Sequence, residues 1–443
     1  MINDKNLKDI LLSIIHQGIN AVKPESLMSE KIKLVKEVLS VNQYSFDLSK
    51  VDKIYVIGFG KVSVPMAFEL EKILGNRILK GLVITNDTNH PTLDLIKVRI
   101  GAHPILDAKV LAASQEILDI CMNANENDLI ICLISGGGSA LFEKLPEEIS
   151  LQNLQALTKL LIHCGASIDE INVVRKCFSL VKNGGLLSFI KPAKCLSLII
   201  SDVVGDKIGS IASSPTFKDK TNFKKAYSIL LYYNLLEKLP NNLSEFLLNA
   251  LRNEPREEVI YNSHTHLASN IIIGSNFEAL KAAEKKAKTY NLNTTIFSSK
   301  IQGEAREIAK VFGAVIEEIA ERDYPIPKPA CIIAGGETTV VVRGQGLGGR
   351  NQELALATLI SLKNSKAKFS FASCGSDGID GATRAAGGYV DNKMLHNIEV
   401  SKLHANRFLD TNDSFNFLKL VDGLIYIPPN LTNVMDIIVG IIN

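Results

Sequence analysis

The residues of this chain that are best suited to chemistry lie in three glycine-rich segments. Gly58-Phe59-Gly60-Lys61 ends in a lysine, Ser135-Gly136-Gly137-Gly138-Ser139 is bounded by serines, and Gly348-Gly349-Arg350-Asn351 contains an arginine. Glycine lets a ligand approach the backbone N–H groups closely. A lysine or arginine beside such amides suits a phosphate, and the planar fork of an arginine also suits a carboxylate. The three segments together predict that the chain recognises an anion.

Two pairs of aspartates follow apolar runs elsewhere in the chain. Ser201-Asp202-Val203-Val204-Gly205-Asp206 follows residues 195–200, and Asp377-Gly378-Ile379-Asp380-Gly381 follows residues 369–374. Their oxygens could hold Mg²⁺ or orient a hydroxyl. Amides and cations for phosphate charge, with carboxylates for Mg²⁺ or the attacking hydroxyl, are what phosphoryl transfer needs. A nucleotide-dependent transferase therefore ranks above the alternatives, although spacing alone does not name its substrate.

The elements that must position these residues are buried strands. The six apolar residues Leu129-Ile130-Ile131-Cys132-Leu133-Ile134 predict a strand covered on both faces of a parallel sheet. Residues 54–57 predict another such strand, and a glycine turn and a helix at 62–74 follow it. Strand, turn and helix begin a βαβ unit. Open α/β sheets bind ligands beyond the carboxyl ends of their strands, which is where the glycine segments lie.

The remaining hydrophobic patterns predict an α/β protein, with a helical segment over residues 1–45 and a Gly335-Gly336 turn after residues 330–334. Further strands are predicted at 81–84, 98–100, 195–200, 271–273, 294–297, 330–334 and 369–374. Further helices are predicted at 108–121, 150–163, 276–289 and 304–321, and one ends near residue 361.

The length of 443 residues exceeds what one ordinary hydrophobic core supports and predicts two domains, at residues 1–260 and 261–443. With 49 basic and 47 acidic residues the net charge is +2, which favours neither a nucleic-acid nor a membrane partner. We expect no transmembrane helix and no secretory signal. The seven cysteines are scattered without a CxxC pair, a pattern typical of reduced thiols in a cytoplasmic protein.

The chain resembles the glycerate 2-kinase family, whose carboxyl-terminal part is called the MOFRL domain. The resemblance spans most of the chain in the family's order. It rests on Gly58–Lys61, His103-Pro104, Ser135–Leu141, 170–176, 201–206, 335–340, 348–353 and 377–381. It implies transfer of the γ-phosphoryl group of ATP to the 2-hydroxyl of D-glycerate. It also implies a larger Rossmann-like amino-terminal domain of parallel-sheet type and a smaller carboxyl-terminal α/β domain, with the active site in the cleft between them.

The resemblance also assigns roles to particular residues. The family's essential lysine and arginine correspond to Lys61 and Arg350, which would stabilise phosphate charge or clamp the glycerate carboxylate. Asp202 would orient or deprotonate the attacking hydroxyl, and Asp206 would lie near Mg²⁺. The residues expected to bind the nucleotide cofactor are Gly58, Gly60, Ser135, Gly136, Gly137, Gly138, Ser139, Glu337 and Asn351. The expected small-molecule partners are ATP and D-glycerate, with a homodimer as the candidate assembly.

Three other functions compete with the kinase. A hydroxypyruvate reductase would need a dinucleotide site, but Ser63 stands where the fingerprint has its third glycine. An acyl-transfer hydrolase could use Ser139, but Leu141 stands where a nucleophile elbow has glycine. A non-catalytic protein that binds glycerate or nucleotide would keep the same charged residues, and the sequence leaves it open.

Overall fold

The computed structural model describes residues 7–253, 268–401, 403–428 and 432–443. The helices, in chain order, are α1 (Leu7–Ala21), α2 (Pro24–Lys31), α3 (Ser63–Leu74), α4 (Ala108–Met122), α5 (Gly138–Leu141), α6 (Leu151–His163), α7 (Ile168–Cys177), α8 (Leu187–Ile190), α9 (Phe223–Tyr232), α10 (Asn241–Asn253), α11 (Asn276–Lys288), α12 (Ala305–Arg322), α13 (Arg350–Ser361), α14 (Asn392–Ser401), α15 (Ala405–Asp410) and α16 (Ser414–Leu420).

The strands, in chain order, are β1 (Ile32–Val35), β2 (Val38–Val41), β3 (Tyr44–Asp47), β4 (Ile54–Phe59), β5 (Ile78–Thr85), β6 (Ile96–Ile100), β7 (Leu129–Ile134), β8 (Lys194–Ile200), β9 (Ala268–Gly274), β10 (Asn293–Glu304), β11 (Ala330–Thr339), β12 (Phe369–Gly375), β13 (Gly387–Asp391), β14 (Leu424–Ile425) and β15 (Asp436–Ile442).

The chain forms two compact units, one of which is Leu27–Ile273. Its main sheet has the order β6-β5-β4-β7-β8-β9, and β6, β5, β4, β7 and β8 pair in parallel. Every residue of β4 and β7 is buried because helices cover both faces of such a sheet, as their apolar runs predict. The parallel α/β class expected for this part of the chain is confirmed.

The direction in which the chain crosses this sheet reverses at its centre. From β4 the chain moves outward to β5 and β6, and it returns to form β7 on the other side of β4. Phe59 of β4 pairs with Ile134 of β7, so the loops after these two strands leave the sheet at the same level. Ligands of open α/β sheets bind at this kind of topological switch point.

The helix predicted over residues 1–45 is wrong beyond residue 31. Helices α1 and α2 are present, but β1, β2 and β3 then form a small antiparallel sheet. Much of this sheet is solvent-accessible, since the side chains of Val35 and Val38 are 66% and 42% exposed. Its strands therefore lack the continuous apolar run that identified the buried strands.

The second unit comprises Gly274–Asn443 together with the described part of Met1–Ser26. Its sheet has the order β10-β11-β15-β12-β13-β14 and is mixed, because β15 runs antiparallel to both β11 and β12. Helix α1 packs on α11 and β15 through an apolar face that includes Ile14 and Ile15. The expected α/β character is confirmed, with the first helix of the chain as part of this unit.

The turn predicted at Gly335-Gly336 is wrong, because both glycines lie inside β11. Gly336 has a φ of +145°, and a Cβ on it would lie 2.1 Å from the Ile301 carbonyl oxygen of the neighbouring strand. These glycines therefore permit close strand pairing. The predicted domain boundary stays a prediction, since residues 260 and 261 lie outside the described residues.

Within the described ranges, no helix is long and apolar enough to cross a membrane. All seven cysteines are free, and burial raises the pKa of the Cys374 thiol far above its ordinary value. That thiol is therefore not a reactive thiolate.

Candidate active site

The first candidate site surrounds the glycine loop Ser135–Ser139 at the carboxyl end of β7. The loop is tied to the turn after β4: the Lys61 N–H donates to the Gly136 carbonyl over 2.9 Å, and the Val62 N–H donates to the Ser135 hydroxyl over 3.1 Å. A Cβ on Gly60 would lie 2.2 Å from Ser135 Oγ. The two loops therefore touch along their backbones, which only glycine allows at Gly60.

Side chains from other loops close around the same glycines. A Cβ on Gly136 would lie 2.3 Å from Asp202 Oδ2, and a Cβ on Gly137 would lie 3.0 Å from His103 Nε2 and 3.3 Å from Lys61 Cγ. Three side chains that the sequence singled out thus converge on this loop, each from the carboxyl end of a different parallel strand. We call Lys61, His103, Ser135–Ser139 and Asp202 the glycine-loop site.

His103 is a member of this site whose role the sequence left open. Burial lowers the pKa of its imidazole, and the positive charge of Lys61 lowers it further. The ring is therefore neutral at pH 7 and can donate or accept a hydrogen bond.

Ser139 lies in the first turn of the short helix α5. Its hydroxyl shares a hydrogen bond of 2.8 Å with the Ser213 hydroxyl. A second hydroxyl is a poor general base, so this geometry does not activate Ser139 as a nucleophile.

Asp206 provides the strongest indication of where a cation would bind. Its Oδ1 atom is buried and accepts no hydrogen bond from any described residue, and its backbone has a φ of +55°. No cluster of three or more histidine, cysteine or acidic side chains occurs among the described residues. Mg²⁺ commonly takes only one or two carboxylates and completes its shell with substrate phosphates and water. The donor atoms here fit that ion.

The second candidate site, in the other unit, is centred on Arg350 at the start of α13. Its Nε and Nη2 donate to the two carboxylate oxygens of Asp436 over 2.7 and 2.9 Å, and its Nη1 lies 2.9 Å from Glu337 Oε1. The side chain of Asp436 is 2% exposed and that of Glu337 is 44% exposed. Asp436 is thus a fixed partner of Arg350, and Glu337 is a partner that solvent reaches.

Asn351 extends this cluster into the interior. Its side-chain amide donates to Asp436 over 2.9 Å, and its backbone N–H donates to Asp380 over 3.1 Å. Burial raises the pKa of Asp380 to about 6, although backbone N–H groups of Gln352 and Asn351 oppose the shift. Burial also raises the pKa values of Asp436 and Glu337, against the attraction of Arg350. We call Glu337, Arg350, Asn351, Asp380 and Asp436 the arginine cluster.

The chain matches known families over most of its length. Residues 10–248 match a domain of unknown function, DUF4147, and residues 330–436 match the MOFRL family. It is 37% identical to a glycerate 2-kinase of Pyrococcus horikoshii over 99% of this chain and 98% of that protein. The chain belongs to the glycerate kinase family. A D-glycerate 2-kinase of Thermotoga maritima is 34% identical over the full length of both chains.

Solved structures agree with this membership of the glycerate kinase family. A crystal structure of a Pyrococcus horikoshii protein has a TM-score of 0.87 and 36% identity, with all of both chains covered. A crystal structure of a glycerate kinase from Thermotoga maritima also has a TM-score of 0.87, at 33% identity, covering 99% of this chain and all of that one. The fold is therefore that of the family.

One residue of the arginine cluster, Asp436, was not predicted from the sequence. Asp436 is the first residue of β15 and belongs to none of the motifs that carried the resemblance. The available signal was a single acidic residue at the start of the apolar run 437–442. The roles of the individual residues in both sites remain predictions.

Proposed function

We propose that this protein transfers the γ-phosphoryl group of ATP to the 2-hydroxyl of D-glycerate, which yields 2-phosphoglycerate and ADP. The observation that carries this proposal is the glycine-loop site, where a cation and a carboxylate flank one glycine loop. The names of the relatives support the choice of glycerate as acceptor.

The phosphate side of the reaction would use Lys61 and the glycine loop. Within the described residues the Lys61 ammonium forms no ion pair, so its charge is available to a ligand. A Cβ on Gly58 would lie 2.9 Å from Val83 Cγ1, and Gly60 lets the turn touch Ser135. The amides of Gly136 and Gly137 would face the nucleotide phosphates between Ser135 and Ser139, while the Gly138 N–H donates to the Ser135 carbonyl and shapes the loop. Lysine and backbone amides stabilise the charge that spreads over the transferred phosphoryl oxygens.

The acceptor side would use Asp202. Its carboxylate lies against the backbone of Gly136, within the same cluster as Lys61. There it would accept the proton of the 2-hydroxyl or orient that hydroxyl for in-line attack. The neutral imidazole of His103 would offer a hydrogen bond to the acceptor without adding charge.

Mg²⁺ would be held by Asp206, whose buried Oδ1 lacks a hydrogen bond. When bound, the ion would neutralise charge on the phosphates of ATP.

Arg350 would also stabilise phosphate charge. The Asp436 carboxylate fixes its guanidinium in orientation, and Asn351 is held by the same carboxylate. Glu337, the more exposed of the two acidic partners, can yield to an incoming phosphate oxygen. Charge-assisted bidentate contacts of this kind are among the strongest hydrogen bonds in proteins.

The test is release of ADP when the purified protein is mixed with ATP, Mg²⁺ and D-glycerate, with a parallel reaction coupled to enolase. Enolase consumes 2-phosphoglycerate and not its 3-isomer. Signal in both reactions is expected. ADP without an enolase signal would contradict phosphorylation at the 2-hydroxyl, and absence of ADP would contradict the kinase reaction.

A further inference from the structure

Arg175, on helix α7, is a partly buried cation without a counter-ion among the described residues. Its Nε atom is buried and makes no hydrogen bond, and its guanidinium has no ion pair in the described part of the chain. Ile171 and Val174 of this helix, and Phe178 directly after it, are buried. Keeping an unpaired charge in such surroundings costs free energy that an anion would recover.

A buried carboxylate of this unit, Glu143, is committed to another cation. Glu143 pairs with Lys182, and both side chains are 1% exposed. Glu143 also accepts hydrogen bonds from the Ser179 hydroxyl and from the Lys144 N–H. Burial, and then the positive charge of Arg175, lowers the pKa of Lys182, although Glu143 opposes this. Arg175 therefore lies beside a neutralised pair and is not neutralised by it.

The next residue of the helix has its own partners. Lys176 contacts Asp219 over 2.5 Å and donates to the Gly209 carbonyl over 2.6 Å. Because Asp219 balances Lys176 and Glu143 balances Lys182, neither of these carboxylates balances Arg175. A guanidinium without a carboxylate partner is the complement of one monoanionic group.

An unpartnered hydroxyl lies on the segment against the turn after Lys182. Ser214 Oγ is buried and makes no hydrogen bond within the part of the chain that the structure describes. Residues Ala212, Ser213 and Ser214 have φ values of 50°, 60° and 54°, in the left-handed region. This conformation strains each of the three residues. The Gly184 N–H, two residues after Lys182, donates to the Ser214 carbonyl over 2.7 Å. Strain of this kind clusters where a side chain is held for a ligand.

The same strained segment packs on the glycine loop. Ser213 Oγ is 2.8 Å from Ser139 Oγ. A Cβ on Gly138 would lie 2.7 Å from the Ala212 Cβ. The segment that carries Ser214 is therefore in direct contact with the loop that would hold the phosphates. Through Gly184 it also contacts the turn after Lys182, the lysine whose pKa the charge of Arg175 lowers.

We propose that Arg175 and the Ser214 hydroxyl bind the carboxylate of the hydroxy-acid acceptor. This inference rests on the proposed function and deepens it. The acceptor carboxylate needs a cation apart from Lys61, which would serve the phosphates, and it must be kept from Asp202 and Asp206, whose charges repel it. An arginine fork with a neighbouring hydroxyl matches a carboxylate in shape and charge.

The experiment is calorimetric binding of D-glycerate, and separately of ATP with Mg²⁺, to the wild type and to Arg175→Gln. The matched control is Arg77→Gln, which also removes one positive charge from this unit but breaks an exposed pair with Glu37. We expect Arg175→Gln to bind D-glycerate about tenfold or more weakly, with unchanged ATP binding. Arg77→Gln should match the wild type for both ligands. Glyceramide, the neutral amide of glycerate, lacks the carboxylate. It should therefore bind the wild type weakly and bind Arg175→Gln with the same low affinity.

Several outcomes would overturn the inference. Unchanged D-glycerate binding by folded Arg175→Gln would do so, and so would a loss confined to ATP, which would assign Arg175 to a phosphate. Removing an uncompensated charge should not lower the unfolding temperature of the free protein. If Arg175 had a purely structural role, its removal would lower that temperature. Arg175→Lys keeps the charge without the fork, should bind D-glycerate with intermediate affinity, and serves if Arg175→Gln does not fold.

The proposed function is tested apart from this by the ADP and enolase signals of the wild type. If those signals are present and Arg175→Gln binds D-glycerate normally, the kinase stands and the carboxylate subsite fails. If the wild type gives no ADP, the subsite is tested by the binding of acetate, a simple carboxylate. Acetate should raise the unfolding temperature of the wild type more than that of Arg175→Gln, and equal shifts would reject it.

Discussion

At the scale of single residues, the two candidate sites differ in how their cations are compensated. Arg350 is held by two carboxylates, one buried and one exposed. The Lys61 ammonium forms no ion pair within the described residues, while its backbone is fixed to the glycine loop. A cation of fixed position and uncommitted charge is the one that a phosphate meets directly. Loss of the Lys61 ammonium should therefore slow the chemical step.

Lys61→Met removes the ammonium and keeps the length of the side chain. We expect turnover to fall by roughly a hundredfold or more, because a charge that stabilises the transferring phosphoryl group is lost. The unfolding temperature should stay near that of the wild type, since the backbone bond to Gly136 does not need the ammonium. Lys53→Met is the control, an exposed lysine before β4. Steady-state kinetics of both variants measure the effect, and near-normal turnover of Lys61→Met would reject the role.

A second residue-scale prediction concerns Asp380. Its pKa is raised from 3.8 to about 6 by burial, so the folded protein holds this proton more tightly than the unfolded chain does. The stability that it contributes is complete below about pH 3.8 and is lost as the pH rises through about 6. Asp380→Asn cannot titrate. The free energy of unfolding of the wild type should therefore fall relative to that of Asp380→Asn between those two pH values.

Denaturant unfolding at several pH values measures this difference, which should amount to a few kcal/mol. Asp436 repels Asp380 and also titrates, so the difference between the two proteins reports on this coupled pair. Parallel stability curves for the two proteins would show that Asp380 has an ordinary pKa.

At the scale of elements, the glycine loop lets other side chains lie close to its backbone because its own residues lack side chains. Gly137 and Gly165 offer a matched pair, with φ values of +79° and +78°. A Cβ on Gly137 would meet His103 at 3.0 Å and Lys61 at 3.3 Å, whereas a Cβ on Gly165 would meet nothing within 4 Å. An alanine at either position carries the same backbone strain, but only one disturbs the glycine-loop site.

We expect Gly137→Ala and Gly165→Ala to lose similar stability, about 1–2 kcal/mol each from the left-handed backbone. Turnover should fall by roughly tenfold or more in Gly137→Ala alone, because displaced His103 and Lys61 no longer face the substrate correctly. Thermal unfolding and steady-state kinetics of the two variants test this. Equal turnover in both would mean that the loop tolerates a side chain and does not approach a ligand.

The sequence predicted those elements whose signals are local. Leu129–Ile134 was predicted with its observed bounds because burial on both faces leaves an unbroken apolar run. Helix α6 was predicted because Ser150 caps it, and the structure contains that cap. Strands β1 to β3 were missed because their exposed faces interrupt the apolar pattern. The partner role of Asp436 was missed because Arg350 lies 86 residues away in the chain, and no local motif records that contact.

At the scale of the whole molecule, the first helix of the chain belongs with its last strand. Gly18 of α1 is buried, and a Cβ on it would lie 2.9 Å from the Ala279 carbonyl oxygen of α11 and 3.3 Å from Ile437 Cδ1 of β15. The amino-terminal helix thus completes the core of a unit whose other residues begin at Gly274. A substitution at residue 18 should therefore disturb packing more than 250 residues away in the sequence.

Gly18→Val tests this connection in the full chain. Overpacking at such a contact typically costs about 1–3 kcal/mol. We expect amide hydrogen exchange to accelerate in α11 and β15, which contact α1, and to stay unchanged in β4 and β7 of the other unit. Gln17→Val is the control, since residue 17 is exposed and the change brings the same β-branched side chain into the same turn of α1. Faster exchange in β4 and β7, or unchanged exchange in β15, would contradict the assignment of α1 to the carboxyl-terminal unit.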